Sequence, residues 1–222
     1  NFLNAMGARV SGAGSSMITV EGVERLHGVT YTPIPDRIIA GTYMIATAMC
    51  GGNVTLDGVV PEHLSSLIAK MSKTACKVIC KNDKISVRSK GRLKSLERID
   101  TMYYPGFPTD LQTQIMALQT ISRGTSVIAE NIFETRFKTV PQLIKMGADI
   151  TVRDRTAVVR GVPGLHGAEV HATDLRGGAS LVLAGLAAEG RTEVKDIYHI
   201  DRGYEDMAPV LSGLGANITR VV

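Results

Sequence analysis

The feature that most constrains this chain is a repeat with a period of about seventy residues. Three aspartates open helix-like stretches: Asp36 in PDRIIAGTYMIATAM, Asp110 in TDLQTQIMALQTI and Asp174 in TDLRGGASLVLAGL. Each stretch ends near a glycine, Gly52, Gly124 or Gly190, that leads into a short β-like run, NVTLDG, TSVIAE or RTEVKDI. A second helix follows in every unit (HLSSLIAKMSK, RFKTVPQLIKMG, DMAPVLSGLG). It closes on Met146-Gly147-Ala148 and Leu214-Gly215-Ala216, with Met71-Ser72-Lys73 as a worn copy. Hairpin-like runs come next, KVICKNDKISVRS and DITVRDRTAVVRG, each folding back at a polar turn. The third unit stops after one arm, NITRVV, while the chain opens on half a unit, Met6-Gly7-Ala8 and RVSGAGSSMITVEGV.

The two kinds of helix differ. The stretches after the three aspartates are apolar on most faces, as helices buried inside a core must be. The second helices carry one polar side, and the strands alternate, with Ile85 and Val87 set against Ser86 and Arg88, and Val158 against Arg160. Alternation gives a sheet one wet face. The expected fold is therefore an inverted, inside-out α/β barrel with pseudo-threefold symmetry, three helices inside and sheets outside. Residues 1–34 are expected to be a leading half-unit belonging to or crossing from another barrel, and 35–222 a barrel of repeats at about 35–100, 101–165 and 166–222. The segment MITVEGV is expected to fill the strand position that the third unit lacks. A start at Asn1 inside a helix-like run suggests a piece of a longer polypeptide.

Composition excludes several classes of protein. With 44% apolar and 21% charged residues the chain reads as globular, and no apolar run approaches the length of a membrane span. Cys50, Cys76 and Cys80 make neither a metal-type pair nor an even disulfide set, which points to a reducing, cytoplasmic setting. No cofactor or metal is expected: His166 and His171 stand five apart, and His27, His63 and His199 are isolated. Charge is concentrated between Lys70 and Arg98, where ten Lys and Arg face only Asp83 and Glu97. That stretch has no Phe, Tyr or His on which a base would stack, so it reads as a solvated face rather than a nucleic-acid site. The SGAGSS run lacks the third glycine and following helix of a dinucleotide loop and reads as a hairpin turn.

Asp36, Asp110 and Asp174 each stand where a helix N-cap belongs, and capping alone would explain them. Two details ask for more. Asp110 follows the stiff loop PGFPT, and Arg176 and Arg37 place cations in first helical turns, where they oppose the helix dipole unless an anion is near. Arg202, in HIDRGYED, either pairs with Asp201, Glu205 or Asp206 or stands ready for an anionic substrate. Carboxylates and arginines at loop–helix junctions suit an enzyme that grips anionic groups and moves a proton.

The ordered set NFLNAMGA, GVERLHG, IPDRIIAGT, PGFPTDLQTQ, ENIFETRF, TDLRGGASLVLAG and YHIDRGYE closely resembles the C-terminal half of the enolpyruvyl transferases that act on UDP-N-acetylglucosamine. The resemblance spans essentially all 222 residues. It implies two inverted barrels with the active site between them, a cytoplasmic enzyme of peptidoglycan synthesis, and UDP-N-acetylglucosamine and phosphoenolpyruvate as substrates. By the same resemblance Asp110 contacts the sugar 3-hydroxyl as general base, and Ile132 binds the uridine end through its main chain. Arg202 holds the phosphoenolpyruvate carboxylate, Asp174 and Arg176 line the same cleft, and Arg136 and Arg37 are further cleft candidates. The family's loop with its catalytic cysteine lies in the other half, so none of the three cysteines here inherits that role. The partner implied is the missing N-terminal barrel, and this half alone is expected not to turn over. The alternatives are the sister transferase of shikimate 3-phosphate and, more distantly, an RNA 3′-phosphate cyclase-like enzyme.

Overall fold

The structure, a computed structural model, describes residues 1–221. The chain divides into two compact units, Asn1–Pro35 and Asp36–Val222. In the first, α1 (Phe2–Ala5) leads through Gly7, at φ +94°, into a hairpin of β1 (Arg9–Ser11) and β2 (Thr19–Glu21). SGAGSS is the turn of that hairpin, with Gly12 and Gly14 both at positive φ. Strand β2 pairs with β1 and with no other strand among the described residues, so MITVEGV does not complete the third unit. The reason is local. A nearby partner costs little loop-closure entropy, and Asn4 braces the centre of β1 by bonding both the N–H and the C=O of Val10.

The second unit is built from the repeats. Helix α2 (Arg37–Cys50) is followed by β3 (Gly52–Leu56), α3 (Ser65–Met71), and the hairpin of β4 (Lys77–Lys81) and β5 (Lys84–Ser89). Strand β6 (Arg98–Asp100) precedes α4 (Gln112–Ile121), β7 (Thr125–Ala129), α5 (Val140–Lys145), and the hairpin of β8 (Asp149–Arg153) and β9 (Thr156–Arg160). The last repeat holds β10 (Leu165–His166), β11 (Glu169–His171), α6 (Leu175–Ala187), β12 (Ala188–Glu189), β13 (Glu193–Lys195), α7 (Tyr198–Asp201) and α8 (Met207–Gly213). The sheets run β3-β5-β4 and β6-β7-β9-β8, with two parallel pairs, β10-β12 and β11-β13. Asn82 and Asp154 take the left-handed turn positions of the two long hairpins, a conformation short polar side chains tolerate.

Helices α2, α4 and α6 pack on one another inside the sheets, which is the inside-out α/β barrel. Their all-round apolarity is the cause: Met44, Ile45, Ile115, Met116, Leu181 and Leu183 are wholly buried, and each such side chain gains roughly 1.5–3 kcal/mol on leaving water. Gly41 permits the close approach, since a Cβ there would lie 2.6 Å from Leu111 Cδ1.

Two expectations fail in detail. Ala157 and Val159, not Val158, face the core of β9; Val158 and Arg160 are two apart and share the outer face. Among the described residues, 217–221 form no strand, and no strand pairs with them. They border a groove of about 820 Å³ between β13, α7 and α8. Val222 lies outside the described residues. No helix among the described residues is long and apolar enough to cross a membrane.

Candidate functional site

The three repeat aspartates divide into two kinds. Asp36 is a true N-cap, accepting the amides of Ile38 at 2.6 Å and Ile39 at 3.2 Å. Asp174 caps α6 in the same way, from Arg176 at 3.0 Å and Gly177 at 2.9 Å. Asp110 does not cap, contrary to the simplest reading of its position. Pro108 occupies the cap, and Asp110 sits inside the 3-10 turn Thr109–Leu111 that precedes α4. Its carboxylate therefore points away from the helix amides and meets two guanidiniums instead, Arg136 Nη2 at 2.8 Å and Arg176 Nη2 at 3.2 Å.

Each arginine is held from behind. Arg136 starts the short 3-10 turn Arg136–Thr139, donates also to the Thr109 carbonyl at 3.2 Å, and stacks over Phe133 at 5.3 Å. Its Nε is buried without a partner among the described residues. Arg176 lies over the Tyr204 ring at 5.6 Å, and its Nη1 is 3.4 Å from the Tyr204 hydroxyl. Burial by itself would lower its pKa, but Tyr204 and the Asp110 carboxylate more than offset this and leave it above the ordinary arginine value. The buried Tyr204 hydroxyl also meets Thr42 Oγ1 at 2.9 Å and Gln114 Nε2 at 3.2 Å, while Thr113 Oγ1 donates to the Arg176 carbonyl. One polar network thus links α2, α4 and α6 beneath Arg176, satisfying groups that would be costly if buried alone.

The arginine side chains are only 14% exposed and the carboxylate 38%, so the cluster forms a half-open wall. An ionised carboxylate offers about four acceptor positions and two are taken, so a hydroxyl can still approach Asp110. The unused N–H groups of the two arginines suit a bidentate carboxylate or phosphate.

Other expected residues are placed differently. Asp174 is committed to capping, with Thr173 Oγ1 3.2 Å away, and acts on the cluster by fixing the start of the helix that carries Arg176. Arg202 forms none of the ion pairs considered for it. It is exposed at the C-terminal end of α7, and Asp201 is taken instead by Arg220 at 2.8 and 2.9 Å. Arg37 lies over the Tyr104 ring at 5.4 Å and makes no bond to the cluster. Ile132 sits in the turn before Arg136, where its amide donates to Glu130 Oε1 at 2.9 Å. Cys76 is buried and its thiol is pushed up to about 11 by that burial, whereas Cys50 and Cys80 are exposed. Among the described residues no group of three or more His, Cys, Asp or Glu is arranged to hold a metal.

Sequence reasoning missed Glu130 and Tyr204. The signal for Glu130 was present: by the period of two it shares the inward face of TSVIAE with Ser126 and Ile128, where a carboxylate needs partners. Tyr204 had no comparable local signal.

The model of the EPSP synthase (3-phosphoshikimate 1-carboxyvinyltransferase) family matches residues 1–211. The chain belongs to that family. It is 51% identical over 222 residues to UDP-N-acetylglucosamine 1-carboxyvinyltransferase 2 of Caldanaerobacter subterraneus subsp. tengcongensis, covering 100% of this chain and 53% of that protein. It is 53% identical over 218 residues to UDP-N-acetylglucosamine 1-carboxyvinyltransferase of Myxococcus xanthus, covering 98% and 52%. Among solved structures it is similar to the enolpyruvyl transferase NikO from Streptomyces tendae, with a TM-score of 0.88, 29% identity, and coverage of 99% of this chain and 52% of that one. EPSP synthase from Acinetobacter baumannii shares the fold, at a TM-score of 0.79, 18% identity, and coverage of 99% and 54%. This family member spans about half the length of the curated relatives it matches.

Proposed function

We propose that this chain is the C-terminal barrel of an enzyme that moves the enolpyruvyl group of phosphoenolpyruvate to the 3-hydroxyl of UDP-N-acetylglucosamine, releasing phosphate. The observation that carries the reading is Asp110: alone of the three repeat aspartates it caps no helix, and two arginines bracket it. Identity of 51% and 53% along the chain to relatives bearing that substrate in their names favours the nucleotide sugar over shikimate 3-phosphate.

In this mechanism Asp110 takes the proton of the sugar hydroxyl as its oxygen adds to C2 of the enolpyruvyl group, a step for which a carboxylate within hydrogen-bond reach suffices. C3 gains a proton in the same addition, from an acid outside this chain, and becomes the methyl of the tetrahedral ketal. Until Asp110 takes the hydroxyl proton, its ionised carboxylate stabilises the positive character that develops at C2. The C2–O bond to phosphate then breaks as C3 gives up one proton, which restores the double bond and releases phosphate. Arg136 and Arg176 hold Asp110 in place and keep donors for anionic groups, and Asp174 sets the backbone from which Arg176 projects. Arg202, exposed and without an ion pair among the described residues, binds the phosphoenolpyruvate carboxylate, and Ile132 contacts the nucleotide sugar through its main chain. Arg37 lies at the margin of the cleft.

The remaining walls belong to an N-terminal barrel, which also receives the leading unit. That unit exposes Met17, Ile18 and Val20 at 72%, 60% and 67%, a strip of apolar surface that suits burial against another body. The enzyme would serve peptidoglycan synthesis in the cytoplasm. The test is phosphate release from phosphoenolpyruvate, measured for this chain and for the full-length enzyme. Release with UDP-N-acetylglucosamine by the full-length enzyme only is expected. Release by this chain alone overturns the shared cleft, and release only with shikimate 3-phosphate overturns the substrate.

A further inference from the structure

We propose that Glu130 is a positioning residue of the nucleotide-sugar site, tying the loop that carries Asp110 to the turn that carries Ile132. This rests on the function proposed above. Glu130 directly follows β7 with no exposed surface, and its carboxylate reaches two separate pieces of the site. Oε2 accepts from the hydroxyl of Thr109, the residue next to Asp110, at 3.0 Å. Oε1 accepts the amides of Ile132 at 2.9 Å and Phe133 at 3.0 Å. Its own main chain is pinned to Arg155, whose carbonyl accepts its N–H at 2.8 Å and whose Nε donates to its carbonyl at 2.8 Å. Three charge-assisted bonds on one immobile carboxylate make the two segments a single rigid edge.

The arrangement also sets what that edge can recognise. Because the amides of Ile132 and Phe133 are both spent on Glu130, the turn offers the substrate no donor at these positions. The Ile132 carbonyl, which no donor reaches among the described residues, is the main-chain group left to it. It selects a hydroxyl or N–H on the nucleotide sugar and has nothing to give an anionic group, so phosphoenolpyruvate binding is independent of it.

The test compares Glu130→Ala, Glu130→Gln and Thr109→Val in the full-length enzyme, with steady-state kinetics and hydrogen exchange of the peptide covering 131–135. In Glu130→Ala, freeing the turn amides should raise KM for UDP-N-acetylglucosamine at least about tenfold and speed exchange by about tenfold, with KM for phosphoenolpyruvate within about twofold. Glu130→Gln should recover both to within about threefold. Its carbonyl can accept the two amides, and its NH2 can donate to Thr109, whose hydroxyl accepts as well as donates. Thr109→Val should lower kcat about three- to tenfold and leave exchange at 131–135 unchanged. An unchanged nucleotide-sugar KM in Glu130→Ala overturns the proposal, as does equal impairment of Ala and Gln variants. If Glu130→Ala does not fold, wild-type kcat in Thr109→Val overturns it. If wild-type enzyme ignores UDP-N-acetylglucosamine, the proposed function fails by itself. The exchange contrast between Ala and Gln then decides whether Glu130 anchors the turn.

Discussion

The starts of α2 and α4 are the same slot of the same repeat, yet they do opposite work. At α2 the aspartate is the cap residue, with extended backbone, and its carboxylate folds onto the helix amides. At α4 a proline caps the 3-10 turn that leads into the helix, the aspartate falls two residues later inside that turn, and its carboxylate meets Arg136 and Arg176 instead of helix amides. A displacement of two residues along the chain converts a structural carboxylate into one that can meet a substrate. The start of α6 is intermediate: Asp174 caps like Asp36, but the helix it caps delivers Arg176 to Asp110.

That comparison predicts opposite mutational signatures. The largest effect falls on Asp110→Asn in the full-length enzyme: turnover should drop by about 10²–10⁴-fold, as for loss of a general base. Its ion pairs are partly exposed, so Tm should fall by no more than about 4 °C. Retained turnover would remove the distinction between the two kinds of aspartate. Asp174→Ala should cost about 1 kcal/mol of stability through the lost cap and, by loosening Arg176, reduce turnover as well. Asp36→Ala should cost the same about 1 kcal/mol and leave turnover near wild type. Denaturant unfolding and phosphate release on the same preparations separate the pair, and equal activity losses would break the division.

Smaller effects sharpen it. Tyr204→Phe removes a hydroxyl shared by Thr42, Gln114 and Arg176, so stability should fall by about 0.5–1.5 kcal/mol. An unchanged denaturation midpoint would mean that the network does not support Arg176. The smallest effect concerns Cys76, whose thiol is raised from 9.0 to about 11 by burial. Because the folded pKa is the higher one, the folded state keeps its proton where the unfolded chain has lost it. The stabilising contribution is complete below about pH 9 and is lost as pH rises towards about 11. Cys76→Ala should flatten that part of the stability–pH curve, and alkylation of Cys76 should lag behind Cys50 and Cys80 at pH 8.

Much of the barrel is legible in local patterns. The all-round apolarity of ASLVLAGLAA announces a buried helix, the polar turns Asn82-Asp83 and Asp154-Arg155 announce hairpins, and Asp36 and Asp174 are recognisable as caps. Val158 is apolar enough for either face of β9, and only the surrounding packing gives the inner face to Ala157 and Val159. MITVEGV was expected to add a strand at a distance, yet it paired with the nearest available partner. Glu130 was visible only as a charge on an inward-facing position. Its three partners lie on a separate loop and the next turn, which no period reveals.

The sequence by itself determined the repeat, the buried helices, the hairpins and the list of charged residues at the junctions, since all of these depend on neighbours within a few turns of chain. Tertiary structure decided which of those charges meet. Asp110, Arg136, Arg176 and Tyr204 come from different elements, and they converge because three apolar helices exclude water from one another and bring their ends together. In that half-dry setting an unpartnered polar group is costly, and the choice of partner is what separates the aspartate bracketed by two arginines from the two that cap helices.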